Sequence, residues 1–280
     1  MPTRVAYLGP EGTYAEQAAH SLARLEKLVE PVFVPCIGLR SVIEHVAKKL
    51  CEAAVVPIEN SVEGGVTASM DALWSHPELY IRRALIIPIR HCLVSSGSID
   101  QISEVLSHPQ ALAQCSGWLN QNLPNALQLP TNSTAEAVRM VRNSKFRAAI
   151  ASKPKNNSFD LNQLAYPIND VPGNRTRFVL LQRQERVGNG DLASLAFSLI
   201  DNKPGALLNA LSSIADLGLN MSRIESRPSK RELGEYVFFV DIETSNCAED
   251  SHVKLLERLR PLCEHIVHFG SYPTSAIESD

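Results

Sequence analysis

The sequence has no apolar run approaching the roughly 18 residues that a membrane-spanning helix requires. It passes from Met1 straight into Val5-Ala6-Tyr7-Leu8 with no signal-peptide pattern. A cytoplasmic protein is therefore expected. Cysteine is sparse and scattered: Cys36, Cys51, Cys92, Cys115, Cys247 and Cys263 include no C-x-x-C pair. That spacing gives neither a disulfide framework nor a zinc site and predicts reduced, mostly buried thiols. No basic tract accompanies the net charge of −3, so there is no electrostatic footprint for nucleic acid. Nucleophile elbow, Walker loop, H-E-x-x-H and the G-x-G-x-x-G spacing are all absent. Nicotinamide, ATP and zinc chemistry thus have no positive support.

What is present is enough apolar sequence for two ordinary cores, in 280 residues that are 44% hydrophobic and 20% charged. Residues 4–8 predict a strand broken by Gly9-Pro10-Glu11-Gly12. Thr13 is placed as a helix N-cap with Glu16 completing a capping box, and Ala15, Ala18, Ala19, Leu22 and Leu25 follow at helical spacing. Val32–Val34, Leu39–Leu50 and Ala53–Val56 repeat the strand–helix–strand rhythm, which predicts a parallel α/β sheet. Leu79–Val94 reads as extended with Pro88 at an edge or bend. Further strands are expected near Val105–Ser107, Ala148–Ala151 and Phe178–Leu181, with helices from Pro109 and around Ala135–Val141, the latter capped by Asn132 or Ser133. Residues 153–174, rich in turn dipeptides, predict mostly loop.

The polar stretch Gln182–Asp191 is the predicted linker. Beyond it the order strand 195–200, helix 204–217 ended by Gly218, strands 220–226 and 236–242, helix 253–259 and strand 266–269 predicts a ferredoxin-like βαββαβ domain. The two α/β halves before the linker suggest lobes with a ligand crevice between them.

Read locally, each polar motif allows a plain explanation. Gly9–Thr13 serves as an anion-binding helix start or an ordinary β–α turn. Pro57-Ile58-Glu59-Asn60-Ser61 offers ligand groups at a strand end or an Asx-type turn. Ser107-His108-Pro109-Gln110-Ala111-Leu112 carries a histidine able to titrate near neutral pH or a structural one. Ser133-Thr134-Ala135-Glu136-Ala137 fits a helix cap. Asn174-Arg175-Thr176-Arg177-Phe178 places a hydroxyl between two guanidinium groups, which suits a carboxylate ligand or a solvated loop.

In this order, and with His91-Cys92-Leu93 between them, these motifs resemble prephenate dehydratase over nearly the whole chain. Gly205-Ala206-Leu207 and Glu225-Ser226-Arg227-Pro228 resemble its ACT regulatory domain. No chorismate mutase segment precedes Val5, so the monofunctional form is expected. The resemblance implies a two-lobed catalytic domain similar to periplasmic binding proteins over residues 1–182 and an ACT domain over 192–272. It implies decarboxylative dehydration of prephenate to phenylpyruvate, with no cofactor and no metal. On the family pattern Thr176 serves the departing C4 hydroxyl and Arg177 holds a substrate carboxylate. Asn60, Ser61, Gln110 and Thr134 line the cleft, Thr13 stands at its entrance, and Glu59 and His108 are ionisable members of matching motifs. Arg175 is assigned no chemistry. A phenylalanine site is implied between ACT domains of two subunits, formed by Gly205, Ala206, Leu207, Glu225, Ser226, Arg227 and Pro228, in a homodimer or homotetramer. Arogenate dehydratase, a non-catalytic prephenate-binding protein and a regulatory module are the competing readings.

Overall fold

In the computed structural model, residues 2–153, 161–188, 190–245 and 251–278 are described. The first β-α steps of the pattern become β1 (Arg4–Leu8), α1 (Tyr14–Leu25), β2 (Val32–Cys36), α2 (Leu39–Ala47) and β3 (Ala53–Asn60). β1 lies parallel to both β2 and β3. Alternation along the strands sends Val5, Tyr7, Ala53 and Val55 toward α1, and Ala6, Ala54 and Val56 toward α2. Thr13 caps α1 by accepting from the Glu16 N–H at 3.4 Å. The Glu16 carboxylate does not close the expected box; it takes the N–H of Gly12 at 2.7 Å. Gly12 has φ +86°, an angle that glycine adopts without strain.

After β4 (Gly64–Gly65), α3 (Thr67–Trp74) and β5 (Tyr80–Pro88) the chain leaves this sheet. Pro88 closes β5, consistent with its predicted place at a bend. A second sheet follows: β6 (His91–Ser95), β7 (Glu104–Ser107), α4 (Pro109–Gln114), α5 (Ser116–Asn122), β8 (Leu127–Pro130), α6 (Thr134–Val141), β9 (Arg147–Ser152) and β10 (Asn162–Ala165). Its strand order is β10-β6-β9-β7-β8. Ser133, not Asn132, caps α6, and Glu136 reaches back to the Asn132 N–H at 2.8 Å. β11 (Arg175–Gln182) then returns to the first sheet between β3 and β5, antiparallel to both. The parallel sheet expected from the sequence is thus a mixed one. Because β11 starts where β5 ends, it has to run the other way, and β6 and β10 make the second sheet mixed for the same reason.

The third region is β12 (Leu192–Leu199), α7 (Ala206–Ala215), β13 (Met221–Pro228), β14 (Tyr236–Glu243), α8 (Ser251–Leu259) and β15 (Cys263–Tyr272). Its sheet has the order β13-β14-β12-β15 with antiparallel neighbours. Leu195 and Phe197 face α7 and α8, while Ala196, Phe239 and Phe269 pack against the core around α2 and α3. Each buried Leu or Phe among them contributes about 1.5–3 kcal/mol, so the two sheets adhere through apolar contact. The connection between β11 and β12 is held rather than loose: Arg186 bonds the Glu26 carboxylate at 3.1 Å and Arg82 bonds the Glu185 carbonyl at 2.8 Å. Finally β16 (Thr274–Ala276) crosses back and pairs parallel with β5.

Cys36, Cys51, Cys92, Cys115 and Cys263 are free and buried. Burial pushes the Cys92 and Cys263 thiols up to about 11 and Cys115 up to about 12, so none is a thiolate near neutral pH. Cys247, residues 154–160 of the expected loop and Asn189 of the expected linker lie outside the described residues. Among the described residues no helix is long and apolar enough to cross a membrane.

Candidate active site

Two segments join the first two sheets, one between β5 and β6 and one between β10 and β11. They are bonded to each other, Ile89 N–H to the Asn174 carbonyl at 2.7 Å and Asn169 Nδ2 to the Ile89 carbonyl at 3.1 Å. A cleft of about 590 Å³ opens beside them, lined by Val62, Glu63, Gln110 and Gln114 together with Asn169, Asp170 and Asn174. A second hollow of about 540 Å³ lies between the Gly9–Glu11 turn and the start of α6, where Gly12 abuts Ala135.

Asn60 and Thr176 face each other across the β3–β11 ladder, and both are buried. Asn60 Nδ2 donates to Thr176 Oγ1 at 2.9 Å and to Asn174 Oδ1 at 2.8 Å, with a longer contact to the Arg175 carbonyl at 3.3 Å. Asn60 Oδ1 accepts the N–H groups of Val62 and Glu63 at 2.9 and 3.0 Å. Both local readings of this motif therefore hold at once: one end of the amide closes an Asx turn, the other presents a donor. Two backbone donors fix which end is oxygen, so the Thr176 oxygen is an acceptor from Asn60. Among the described residues this is the hydroxyl's one hydrogen bond, and its own proton is left to donate elsewhere.

The remaining predicted residues divide by place. Gln110 lines the cleft. Ser61 is tied to the strand opposite, its Oγ accepting the Arg175 N–H at 2.9 Å. His108 caps α4, with Nδ1 facing the Gln110 N–H at 3.3 Å. Thr13 serves its own turn, donating to the Pro10 carbonyl at 3.1 Å, and Thr134 is the first residue of α6, beside the second hollow.

Arg177 stands apart from this group, contrary to the expectation that it meets a substrate carboxylate. Strand alternation turns it to the face opposite Thr176, with Val179 and Leu181, toward the C-terminal sheet. Its guanidinium pairs with Asp241 of β14 and, at 3.1 Å, with Glu59. Burial alone would lower its pKa, but the charge and hydrogen bond of Asp241, with Tyr272 and Glu59, together outweigh this and hold Arg177 fully ionised. Asp241 also accepts from Ser194 Oγ at 2.5 Å, and Arg223 bonds Glu225 at 2.7 Å beside it. Glu59 therefore belongs to this charged cluster rather than to the cleft.

Three residues at or behind the cleft carry no role in the sequence reading. Asn174 opens the quoted motif without one, although it is 3% exposed and bonded to Asn60. Gln114 lies one turn beyond Gln110 on α4, a spacing that puts both on one face. His91 heads its motif and is buried, with Nε2 2.9 Å from Gln114 Oε1. Burial holds its pKa below the ordinary value against the Gln114 hydrogen bond.

Of the C-terminal motifs, Gly205 caps α7 at φ +86° with open space around it. Ala206 and Leu207 form the first turn of that helix. β13 is an edge strand whose Ser226 and Pro228 are exposed, while Arg223, Glu225 and Arg227 turn inward. Arg227 pairs with Asp71 of α3 at 3.4 Å, and Glu225 occupies the space that a side chain at Gly65 would fill.

A family model described as prephenate dehydratase matches residues 5–186. The bifunctional chorismate mutase/prephenate dehydratase of Aquifex aeolicus is 36% identical over 277 residues, covering 98% of this chain and 75% of that one. The prephenate dehydratase of Amycolatopsis methanolica is 35% identical over 276 residues, covering 96% and 88%. Among solved structures, Arthrobacter aurescens prephenate dehydratase in complex with L-Phe superposes with a TM-score of 0.85 at 34% identity, covering 96% of this chain and 90% of that one.

Proposed function

The chain belongs to the prephenate dehydratase family, and we propose that it converts prephenate to phenylpyruvate with Thr176 serving the departing hydroxyl. In that reaction the bond from C1 to the ring carboxylate breaks and its electron pair enters the ring. The C4–O bond breaks in turn, and the leaving hydroxide takes one proton to become water. Aromatisation drives the step, but hydroxide leaves poorly without a donor. The observation that carries this reading is the direction of the Asn60–Thr176 bond: a hydroxyl that accepts from Asn60 has its proton to offer. A threonine hydroxyl is too weak an acid to ionise at neutral pH, so its part is a hydrogen bond or a relay. One such donor to developing charge contributes about 3 kcal/mol.

In this reading residues 1–182 are a catalytic domain of two lobes similar to periplasmic binding proteins, and Gln110 and Asn60 line the cleft. Ser61, His108, Thr13 and Thr134 shape its walls through turns and caps. Arg177 acts from behind β11, bracing the backbone of Thr176 rather than touching substrate. Residues 192–272 are an ACT domain that takes phenylalanine between two subunits and lowers activity. The amino acid's carboxylate suits the first turn of α7, with Gly205, Ala206 and Leu207 around it, although the Ala206 N–H itself is taken by the Lys203 carbonyl at 3.1 Å. Exposed Ser226 and Pro228 face the second copy, and inward Glu225 and Arg227 pass the change to the catalytic region. A site between two subunits calls for a homodimer or homotetramer, and the proposed place of work is the cytoplasm.

The test is to incubate the protein with prephenate at neutral pH and follow phenylpyruvate, with Thr176→Ala alongside. Turnover by the native chain and a kcat reduced about 10²–10³-fold in the variant are expected. Full activity in Thr176→Ala would end the role given to Thr176, and absence of turnover in the native chain would end the whole reading.

A further inference from the structure

The cleft's polar groups form a closed ring. The Glu63 N–H donates to Asn60 Oδ1 at 3.0 Å, Asn60 Nδ2 to Asn174 Oδ1 at 2.8 Å, and Asn174 Nδ2 to Gln114 Oε1 at 3.0 Å. Gln114 Nε2 completes it by donating to the Glu63 carboxylate at 2.6 Å. Every bond runs in the same rotational sense. Two spurs leave the ring: His91 Nε2–H toward Gln114 Oε1, and Asn60 Nδ2 toward Thr176.

Asn60 is set by its two backbone donors, Val62 and Glu63, whereas Asn174 and Gln114 can each point either way. The backbone N–H of Glu63 only donates and its carboxylate oxygens accept. Glu63 is also the one carboxylate of the ring and lines the cleft. A carboxylate facing a dianionic substrate repels it, so substrate binding does not explain its presence. We propose that Glu63 is a positioning residue whose carboxylate holds Gln114 and Asn174 in this sense, so that Asn60 Nδ2 keeps its acceptor at Asn174 and stays aimed at Thr176, which offers its proton to the substrate. The proposal rests on the reading of Thr176 above. In a ring of one sense each bond polarises the next, which strengthens the set beyond isolated pairs.

His91 reports on the sense. With Gln114 Oε1 facing it, His91 carries its proton on Nε2, and Nδ1 is buried with no partner among the described residues. If Gln114 turned over, its NH2 would face His91, and the imidazole would have to accept at Nε2 and move its proton to Nδ1. Glu63→Lys forces that reversal, because an ammonium group can only donate to Gln114. The backbone N–H groups of Val62 and Glu63 keep Asn60 in place, so the conflict falls between Asn174 and Asn60, where two donors meet. The Asn60 amide, without an acceptor at Asn174, is then pushed off its line to Thr176. Glu63→Gln is the permissive control, since its carbonyl can replace the carboxylate oxygen.

Two measurements decide the matter. Nitrogen-15 NMR of the labelled protein gives the His91 tautomer, expected to be Nε2–H in the native chain and in Glu63→Gln, and Nδ1–H in Glu63→Lys. Steady-state kinetics with prephenate should show kcat in Glu63→Lys about tenfold to a hundredfold lower, the loss of one directed donor. KM in that variant should be unchanged or lower, as a cation beside a dianion dictates, and Glu63→Gln should keep most of its kcat. An Nε2–H tautomer with native kcat in Glu63→Lys overturns the proposal. If Thr176→Ala is fully active while the tautomer still switches, the ring stands and only the role of Thr176 falls. If the lysine variant does not fold, Glu63→Ala replaces it, and a kcat equal to that of Glu63→Gln overturns the proposal.

Discussion

The two faces of β11 hold their polar groups by opposite means. On the Thr176 face the neighbours are neutral amides from three different segments, Asn60, Asn174 and Gln114. On the Arg177 face two guanidinium groups, Arg177 and Arg223, meet three carboxylates, Glu59, Glu225 and Asp241. Amides keep their polarity at any ordinary pH and can be aimed, which suits a surface that must present one proton in one direction. Buried charges tolerate no loss of partner, which suits a joint between two sheets. Under the proposed reading, adjacent residues of one strand have separate duties, one in chemistry and one in assembly.

The largest expected effect tests the charged face. Asp241→Ala strands Arg177 in a buried site beside a half-exposed Glu59, and should lower stability by about 3–5 kcal/mol in a urea titration. A loss under about 1 kcal/mol there would show that water already screens the cluster. Next, Asn60→Ala should lower kcat about 10²-fold while lowering stability by only about 1–3 kcal/mol, the penalty of two unpaired N–H groups. A variant that unfolds but, when folded, turns over normally would break the division between the faces. Tyr272→Phe removes the phenol that bonds Ser194 Oγ beside Asp241; it should be worth about 1 kcal/mol and leave kcat unchanged. Smallest is Asp71→Asn at the rim of the joint, about 0.2–1 kcal/mol. Partial burial alone would raise the Asp71 pKa, but its bonds to Lys230 and Arg227 prevail and hold it below the ordinary 3.8. Its contribution is therefore complete above that value and is lost as pH falls through the lowered one, so the variant and native melting curves should differ equally at pH 5 and pH 8.

Strands and helices with clear periods were legible from sequence: α1 with its cap, β3, α7 ended by Gly218 at φ +68°, and the βαββαβ order of the C-terminal region. α3 was not, since its N-cap residue Val66 supplies no side-chain bond and its apolar residues do not keep to one face. β16 was not, because three residues whose partner lies almost two hundred positions earlier leave no local signal. In the candidate site, motif order pointed to Asn60 and Thr176, and the fold brings these two face to face in register. Arg177 illustrates the limit. A charged residue beside a hydroxyl in sequence lies on the other side of a strand in space, and its partner Asp241 comes from a region read as separate. Gln114 escaped because only the return of the chain at residue 174 brings it to Asn174.

The crossing of β16 has a further consequence. A chain that leaves the first sheet after Gln182 and rejoins it at Thr274 makes the C-terminal region an insertion, anchored at both ends. A protease cut in the connection between β11 and β12 would therefore give two polypeptides that still share one sheet. The nicked protein should travel as a single particle and separate only when the strands themselves come apart.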